Sequence, residues 1–329
     1  MPQRLLSGRG VNPLGFGAMC LSHAYGVPPS PEGGREVLAA ALDLGADHID
    51  TAALYGGGRN ETLAGEVLKG LRNQVFLASK CGVSTPEGAR DINGRPERLR
   101  ATCEASLKRL QTDHIDLYYL HRWDKSIAIE ESVGALGDLV REGKIGSIGL
   151  SEVSAQTLRK AHGEHPIAAL QTEYSLWTRN PEIAVLEACK DLGVAFVAFS
   201  PVGRGFLAGG VRDNRFVETD FRRTMPRFND DDAFARNLKW FVGFEALAQR
   251  AGVTPAQLSL AWVLSRGDHV HVIPGTARID HLRENMATPV VAADILAEAE
   301  DIVSARNVVG GRYSPSSQAE VDTEEFEAA

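Results

Sequence analysis

Short apolar runs separated by amphipathic stretches recur eight times along the chain, and this alternation constrains the fold more than any other feature. The first run is Leu14-Gly15-Phe16-Gly17-Ala18-Met19; others fall at 48–52, 75–80, 115–121, 145–150, 167–173, 194–199 and 270–274. Helical periodicity fills the gaps at about 32–44, 60–71, 95–110, 129–142, 154–164 and 182–192. In the first helix Val37, Leu38, Ala41 and Leu42 share one side. A longer insertion occupies 203–239, helices come after it at about 240–251 and 255–265, and another at 279–287 succeeds the eighth run. Runs such as Val194-Ala195-Phe196-Val197-Ala198-Phe199 lack polar alternation, as strands buried on both faces do. Eight such repeats predict an α/β fold, a closed (β/α)8 TIM barrel rather than an open sheet. We expect one domain over 1–329, with an N-terminal β-hairpin cap and the insertion ahead of the eighth strand. The acidic, apolar-poor tail, about 316–329, is expected to be flexible.

Composition narrows the function classes. With 35 basic and 43 acidic residues the net charge is -8, which argues against nucleic-acid binding. No apolar run approaches the roughly 20 residues needed to span a bilayer, and Met1-Pro2-Gln3-Arg4-Leu5-Leu6 does not read as a signal peptide. The four cysteines are scattered without a CxxC pair, so zinc and redox motifs lack support. A reduced, cytoplasmic protein acting on a small molecule is the simplest expectation. Monomer and homo-oligomer both remain open.

In a barrel, the C-terminal strand ends form the active face. Asp50 lies at the end of one apolar run, Lys80 ends the next, and His121 ends the one after. Tyr55 lies five residues beyond Asp50, ahead of Gly56-Gly57-Gly58. Singly, each has an ordinary explanation as a cap, a solvated lysine or a rim histidine. Together, at the correct ends of successive strands, they suggest acid–base chemistry. A free phenol titrates near roughly pH 10, and a nearby ammonium lowers that value. Asp50 would keep Lys80 charged, and His121 would hydrogen-bond a substrate oxygen or complete a proton path. Such a set would protonate the oxygen of a carbonyl receiving hydride. His48, His114, His121, His162 and His165 form no ligand set with strand-end carboxylates, so no metal is expected.

The chain resembles the aldo-keto reductase superfamily over about residues 3–313, most closely its pyridoxal-reductase-like and perakine-reductase-like branch and more distantly potassium-channel β subunits. The resemblance rests on 14–19, Ile49-Asp50-Thr51-Ala52 with Tyr55-Gly56, Ser79-Lys80 and Asp116-Leu117-Tyr118-Tyr119-Leu120-His121. It continues through Lys144-Ile145-Gly146-Ser147-Ile148-Gly149-Leu150-Ser151-Glu152, Gln171-Thr172-Glu173-Tyr174-Ser175, Phe199-Ser200-Pro201-Val202-Gly203 and Ile273-Pro274-Gly275-Thr276. It implies a tetrad of Asp50, Tyr55, Lys80 and His121, with Tyr55 as proton donor. It also implies NADPH, with NADH weaker, bound without a Rossmann domain. The activity implied is reduction of aldehydes and ketones; the same chemistry run oxidatively, or a nicotinamide-sensing regulatory subunit, are the alternatives.

The same resemblance implies further roles. Ser151 and Gln171 would hold the nicotinamide carboxamide, with Gly17, Ala18, Met19 and Asp50 near it. Glu152 stands where the wider superfamily has Asn. Phe199 would stack on the nicotinamide, Ser200, Pro201 and Val202 would touch the cofactor beside it, and the loop with Gly203, Gly205 and Leu207 would wrap the pyrophosphate. Gly275, Thr276, Arg278, His281, Glu284 and Asn285 match the adenosine and 2′-phosphate segment, which opens a helix. Ala277 replaces a common Lys or Ser, leaving more to Arg278 and to Arg222 or Arg223. Met19, Tyr25, Tyr55, His121 and Trp123 should border the substrate. Gly203-Arg204-Gly205-Phe206-Leu207-Ala208 matches GxGxxA, but a polar run rather than a helix comes next, which argues against a Rossmann fingerprint. Tyr174 has no Asp and Lys of its own and reads as a packing or cofactor-proximal residue; Trp177 reads either as a further pocket residue or as structural.

Overall fold

In the computed structural model, which describes residues 1–304 and 306–326, the eight apolar runs pair side by side in chain order. A hairpin, β1 (Arg4–Leu6) and β2 (Arg9–Val11), precedes them. Then come β3 (Phe16–Gly17), α1 (Pro31–Asp43), β4 (His48–Asp50), α2 (Arg59–Leu68) and β5 (Phe76–Cys81). A second small hairpin, β6 (Val83–Ser84) and β7 (Asp91–Ile92), leads to α3 (Pro96–Leu110). The alternation continues with β8 (Leu117–Leu120), α4 (Ile129–Arg141), β9 (Ile148–Ser151), α5 (Ala155–Glu164), β10 (Ile167–Glu173), α6 (Val185–Leu192) and β11 (Ala195–Phe199). The insertion holds α7 (Pro226–Asn229) and α8 (Asp231–Arg250). After it come α9 (Pro255–Leu264), β12 (Val270–Val272), α10 (Ile279–Met286), α11 (Ala293–Ile302) and α12 (Pro315–Ala319).

The eight-stranded sheet is parallel throughout, in the order β12-β11-β10-β9-β8-β5-β4-β3. A parallel bridge from Leu14 to Val272 closes it. Gly15 N–H donates to Val272 O at 2.9 Å and Val272 N–H to Pro13 O at 2.8 Å. Two glycines permit this closure. A Cβ on Gly17 would lie 2.6 Å from Ile273 O, and one on Gly275 would lie 2.6 Å from Gly17 O. The first predicted strand is therefore short: the ladder ends at Gly17, and Ala18–Leu21 form a 3-10 turn.

Period-two alternation decides which residues look inward. Phe76 and Ala78 of β5, Leu117 and Tyr119 of β8, Ala169 of β10, and Ala195 and Val197 of β11 fill the barrel. Leu6 and Val11, fully buried, plug its N-terminal end from the hairpin. The next inward positions are Lys80, Gln171 and Phe199, so strand parity alone delivers them to the active face. The alternate set, including Leu77, Cys81, Tyr118, Leu120 and Leu170, packs against the helices.

Three differences from expectation have local causes. The helix expected from about 240 begins at Asp231, because Asp230 caps it by accepting from Ala233 N–H at 2.9 Å and two acids open its first turn. The helix α11 is not among the expected elements, because no side chain caps its start and no basic residue closes its last turn. The tail is docked rather than loose over 316–326. Val321 is buried, Asp322 accepts from Ser154 Oγ at 2.9 Å and Thr157 Oγ1 at 2.6 Å, and Glu324 accepts from Ala155 N–H at 2.7 Å. These carboxylates sit on the N-terminus of α5, where they complement the helix dipole. Residues 327–329 lie outside the described residues.

Where α2 meets α3, Gly65 lets the backbones touch: an added Cβ would lie 2.6 Å from Arg109 O and 2.7 Å from Leu110 C. Because the obstacle is backbone, it has little freedom to move. Gly65→Ala should destabilise the protein by about 1–3 kcal/mol, read as an earlier midpoint in urea. A midpoint equal to or above wild type would refute the close-approach account.

Candidate active site

The 3-10 turn Tyr55–Gly58 aims Tyr55 back over the barrel mouth. Gly56, Gly57 and Gly58 all have positive φ, between 59° and 92°, a run that only glycine adopts cheaply. Asn60 fixes this turn against the first strand: its Nδ2 donates to Ala18 O at 2.8 Å and Ser22 Oγ at 2.6 Å, while its Oδ1 accepts from Thr51 Oγ1 at 2.6 Å. Tyr55 OH then lies 3.2 Å from Lys80 Nζ. The ammonium also donates to Thr51 O at 2.9 Å and forms an ion pair with Asp50 Oδ1. Asp50 Oδ2 accepts from Gln171 Nε2 at 2.8 Å. The His121 ring meets the Tyr55 ring edge-on, with centroids 5.8 Å apart. All four predicted ionisable residues are thus together and buried, with Tyr55 and His121 at the cleft surface.

Burial sets the protonation states. It pushes the Tyr55 phenol up, and the pull of Lys80 in the opposite direction does not cancel it. The sequence pattern brings out only the ammonium; in the structure the net direction is upward, so the phenol stays protonated at neutral pH. Burial also works against the Lys80 ammonium, but Asp50 and Tyr55 outweigh it and its pKa rises. His121 is held well below its usual value, first by burial and then by Lys80, Arg122 and Arg90, so its ring is neutral. The arrangement is a protonated phenol on a charged amine, beside a neutral imidazole.

Above these groups a cleft of about 690 Å³ runs across the C-terminal face to the start of α10. Of the residues expected to contact ligand, Gly17, Met19, Tyr25, Asp50, Ser151, Gln171, Phe199, Ser200, Pro201, Val202, Gly205, Arg222, Gly275, Thr276, Arg278, His281, Glu284 and Asn285 line it. Lys80 lies beneath its floor. Six others do not line it. Ala18 and Leu207 are buried in the core. Gly203 packs on Trp177, where an added Cβ would come within 2.8 Å of the indole nitrogen. Glu152 points into an ion pair with Arg312 at 2.5 Å. Arg223 is exposed away from the cleft, and Trp123 donates to Ile127 O at 3.1 Å. Tyr174 is a packing residue, donating to Glu182 and lying against Phe196 and Trp262. Trp177 stacks on Phe206 at 4.6 Å inside the aromatic cluster beneath the insertion.

After β11 a 3-10 turn forms at Gly203–Gly205, with Arg204 at φ 57°, and no helix opens there, as a Rossmann fingerprint would need. Arg278 spends its guanidinium fork on Asp280, two residues on, at 3.0 and 2.5 Å. Arg222 is tied to Asp220 at 2.6 Å. Among the described residues no cluster of His, Cys, Asp and Glu is arranged to hold a metal, and no helix is long and apolar enough to cross a membrane.

Sequence reasoning misses His23, Arg90, Arg122, Arg204, Tyr313 and Glu320, all of which line the cleft. They come from loops and from the tail, without strand periodicity to mark them. Arg204 belongs to a buried ion network. It donates to Glu173 at 2.7 Å, Tyr25 OH at 2.8 Å and Tyr313 OH at 3.2 Å. Arg312 donates to Glu173 at 3.2 Å as well as to Glu152. One carboxylate on β10 thus ties the loop after β11 to the C-terminal segment.

The family model described as the aldo/keto reductase family matches residues 13–295. A probable aldo-keto reductase 1 from Glycine max is 43% identical over 309 residues, covering 92% of this chain and 88% of that protein. An NADP(+) aldo-keto reductase, yakc, from Schizosaccharomyces pombe is 40% identical, covering 98% and 97%. Among solved structures, a glycerol dehydrogenase from Gluconobacter oxydans superposes with a TM-score of 0.84 at 26% identity, over 99% of both chains. An aldo-keto reductase from Klebsiella pneumoniae in complex with NADPH gives 0.72 at 28% identity, over 98% and 99%. The chain belongs to the aldo/keto reductase family, and its barrel is that of an oxidoreductase.

Removing one member of a buried ion network leaves its partners charged and unpaired. Glu173→Ala strands Arg204, leaves Arg312 to Glu152 alone, and should cost about 3–5 kcal/mol. Calorimetric melting should show a large loss in Tm; a loss of a degree or less would mean that the network contributes little.

Proposed function

We propose that this protein reduces aldehyde and ketone carbonyls to alcohols with NADPH, Tyr55 giving the proton. One observation carries the reading: a protonated phenol at the cleft surface rests on a buried, fully hydrogen-bonded ammonium. When bound, the dinucleotide supplies the hydride that reaches the carbonyl carbon. The protein's part is the other half of the reaction. Tyr55 OH donates its proton to the carbonyl oxygen as negative charge develops there. Lys80 stabilises the phenolate left behind, and Asp50 keeps Lys80 charged. Neutral His121 presents a ring nitrogen to the same oxygen, orienting the carbonyl. General acid catalysis of this type contributes on the order of 10²–10⁴ in rate.

The cleft residues fit a nicotinamide dinucleotide. Ser151 Oγ accepts from Arg122 at 3.2 Å, which leaves its own hydrogen for a carboxamide oxygen. Gln171 gives its amide hydrogen to Asp50 and keeps Oε1 for the carboxamide nitrogen. Phe199 is half-buried beside them and offers a ring face. Gly205, Gly209 and Gly210 line the middle of the cleft without side chains, where pyrophosphate needs close backbone approach. The N-terminus of α10, flanked by Arg278, suits a 2′-phosphate. The NADP(+) of the fission-yeast relative's name and the NADPH of the Klebsiella complex support the same cofactor. A cytoplasmic site of action agrees with the cofactor and with the free cysteines. The likeness to a glycerol dehydrogenase favours one second reading, in which the same groups work in reverse and the Tyr55 phenolate takes the proton of an alcohol.

Tyr55→Phe keeps the ring and removes the transferable proton. It should retain NADPH affinity and lose turnover by about 10²-fold or more. Steady-state reduction of an unactivated aldehyde checks this, and near-wild-type rates would remove Tyr55 from the chemistry.

Arg278 and Arg222 are the cations placed for the 2′-phosphate, the one group that distinguishes NADPH from NADH. Arg278 is exposed and shared with Asp280, so its contribution should sit at the modest end of charge-assisted bonds. Arg278→Ala should weaken NADPH about tenfold and leave NADH nearly unchanged. Titration of both cofactors by tryptophan fluorescence decides it; equal weakening would assign Arg278 to the fold or the shared adenosine.

A further inference from the structure

We infer that the carbonyl compounds this cleft favours carry a carboxylate, and that Arg122, with Arg90 beside it, receives that group. The inference rests on the reductase reading and names its substrate class. It starts from an imbalance of buried charge. Three arginines are buried among the described residues. Arg204 faces Glu173 and Arg312 faces Glu152 and Glu173. Of the three, Arg122 has no carboxylate partner among the described residues. One of its nitrogens donates to neutral acceptors, His121 O at 2.6 Å and Ser151 Oγ at 3.2 Å. Its Nε is buried and unpartnered. A buried guanidinium lacking a counter-ion is costly unless an anion completes it.

Its position says which anion. Arg122 comes directly after His121 and holds Ser151, so it sits at the reacting end of the cleft. The phosphates of a dinucleotide belong to the other end, with Arg222, Arg278 and α10. Arg90, from the loop before β7, lines the same end and is held at one edge by Glu320 at 2.7 Å. Among the described residues no uncommitted acid opposes the pair. Asp50 is committed to Lys80 and Gln171, and Glu320 to Arg90. Both cations also reach His121 electrostatically. Met19, Leu54 and Tyr313 also line the cleft and supply apolar and aromatic surface for the rest of a carboxylate-bearing molecule. A carbonyl set over Tyr55 on an aromatic or aliphatic body, with a carboxylate on Arg122, gives this guanidinium the counter-ion that the chain does not supply among the described residues. A fork-to-fork arginine–carboxylate contact adds orientation as well as affinity.

The ordinary alternative is that Arg122 only props His121 and Ser151. Charge-matched substrates separate the two. With saturating NADPH, kcat/KM is measured for the three carboxybenzaldehyde isomers, their methyl esters and para-nitrobenzaldehyde. The wild-type enzyme should prefer at least one acid over its ester about tenfold or more, the scale of one charge-assisted bond. In Arg122→Met that ratio should fall towards one, and in Arg90→Met it should fall in part, whatever the absolute rates. Esters reduced as well as or better than acids in all three isomers would overturn the inference. So would Arg122→Met losing acid and ester activity equally, which is the signature of a prop. Failure to reduce any of the seven compounds would instead overturn the reductase reading and the inference with it.

Discussion

The site depends on keeping one ammonium dry. Lys80 is 1% exposed, over a barrel interior packed mainly with apolar and aromatic side chains. An isolated charge there would cost several kcal/mol even after relaxation. Its three hydrogens meet three acceptors, on Asp50, Thr51 and Tyr55. These come from the end of β4 and the turn beyond it, so the β4–β5 register must hold. A slip of one residue would point Lys80 at the helices and Ser79 into the barrel. The same requirement explains why Thr51 and the Tyr55 turn are pinned by Asn60, which is itself fully buried. The placement of Tyr55 and Lys80 and the closure of the fold are here one hydrogen-bond network.

A second buried network secures the cleft from the opposite side. Glu173 lies on the strand after the one that ends at Ser151, and it gathers Arg204 and Arg312. Arg204 takes a positive φ to reach it. Glu152 does likewise on β9's exit, with φ 58°, and accepts from Arg312. Backbone strain of this kind, about 1–3 kcal/mol per residue, persists only where the surroundings over-determine it. The result is that the loop over the cleft and the C-terminal segment answer to the same carboxylate, Glu173. The docked tail belongs to this arrangement, since Arg312 also donates to Thr323.

Much of the barrel and its active face is legible in the sequence because both derive from period two. Parity within β5, β10 and β11 sends Lys80, Gln171 and Phe199 inward, and strand ends place Asp50 and His121 together. The Rossmann-like GxGxxA run at 203–208 is distinguished from a true fingerprint by the polar residues after it, which open no helix. Where periodicity carries nothing, the sequence hides more. The start of α8 is masked by polar residues that act as helix-opening signals. The tail looks frayed in sequence because its acids are not solvated but bonded to the N-terminus of α5. Glu152 reads as a ligand contact because its neighbour Ser151 lines the cleft, yet its carboxylate turns to an arginine 160 positions away. Arg90, Arg122 and Arg204 escape notice for the same reason: only the closed fold brings them to one cleft.

That cleft has a charge pattern opposite to the chain as a whole. The protein carries a net -8, yet arginines line both ends of the groove over its active face. Such a contrast focuses the field on the groove and draws anionic ligands towards it at low ionic strength. Most of these arginines are tethered in advance: Arg90 to Glu320, Arg204 to Glu173, Arg222 to Asp220 and Arg278 to Asp280. A tether fixes the guanidinium, so that less side-chain freedom is lost on binding, but it also neutralises part of the charge. A tether thus trades affinity for placement. Arg122 is the exception, held only by neutral oxygens, on His121 and Ser151, with no carboxylate partner among the described residues to offset its charge.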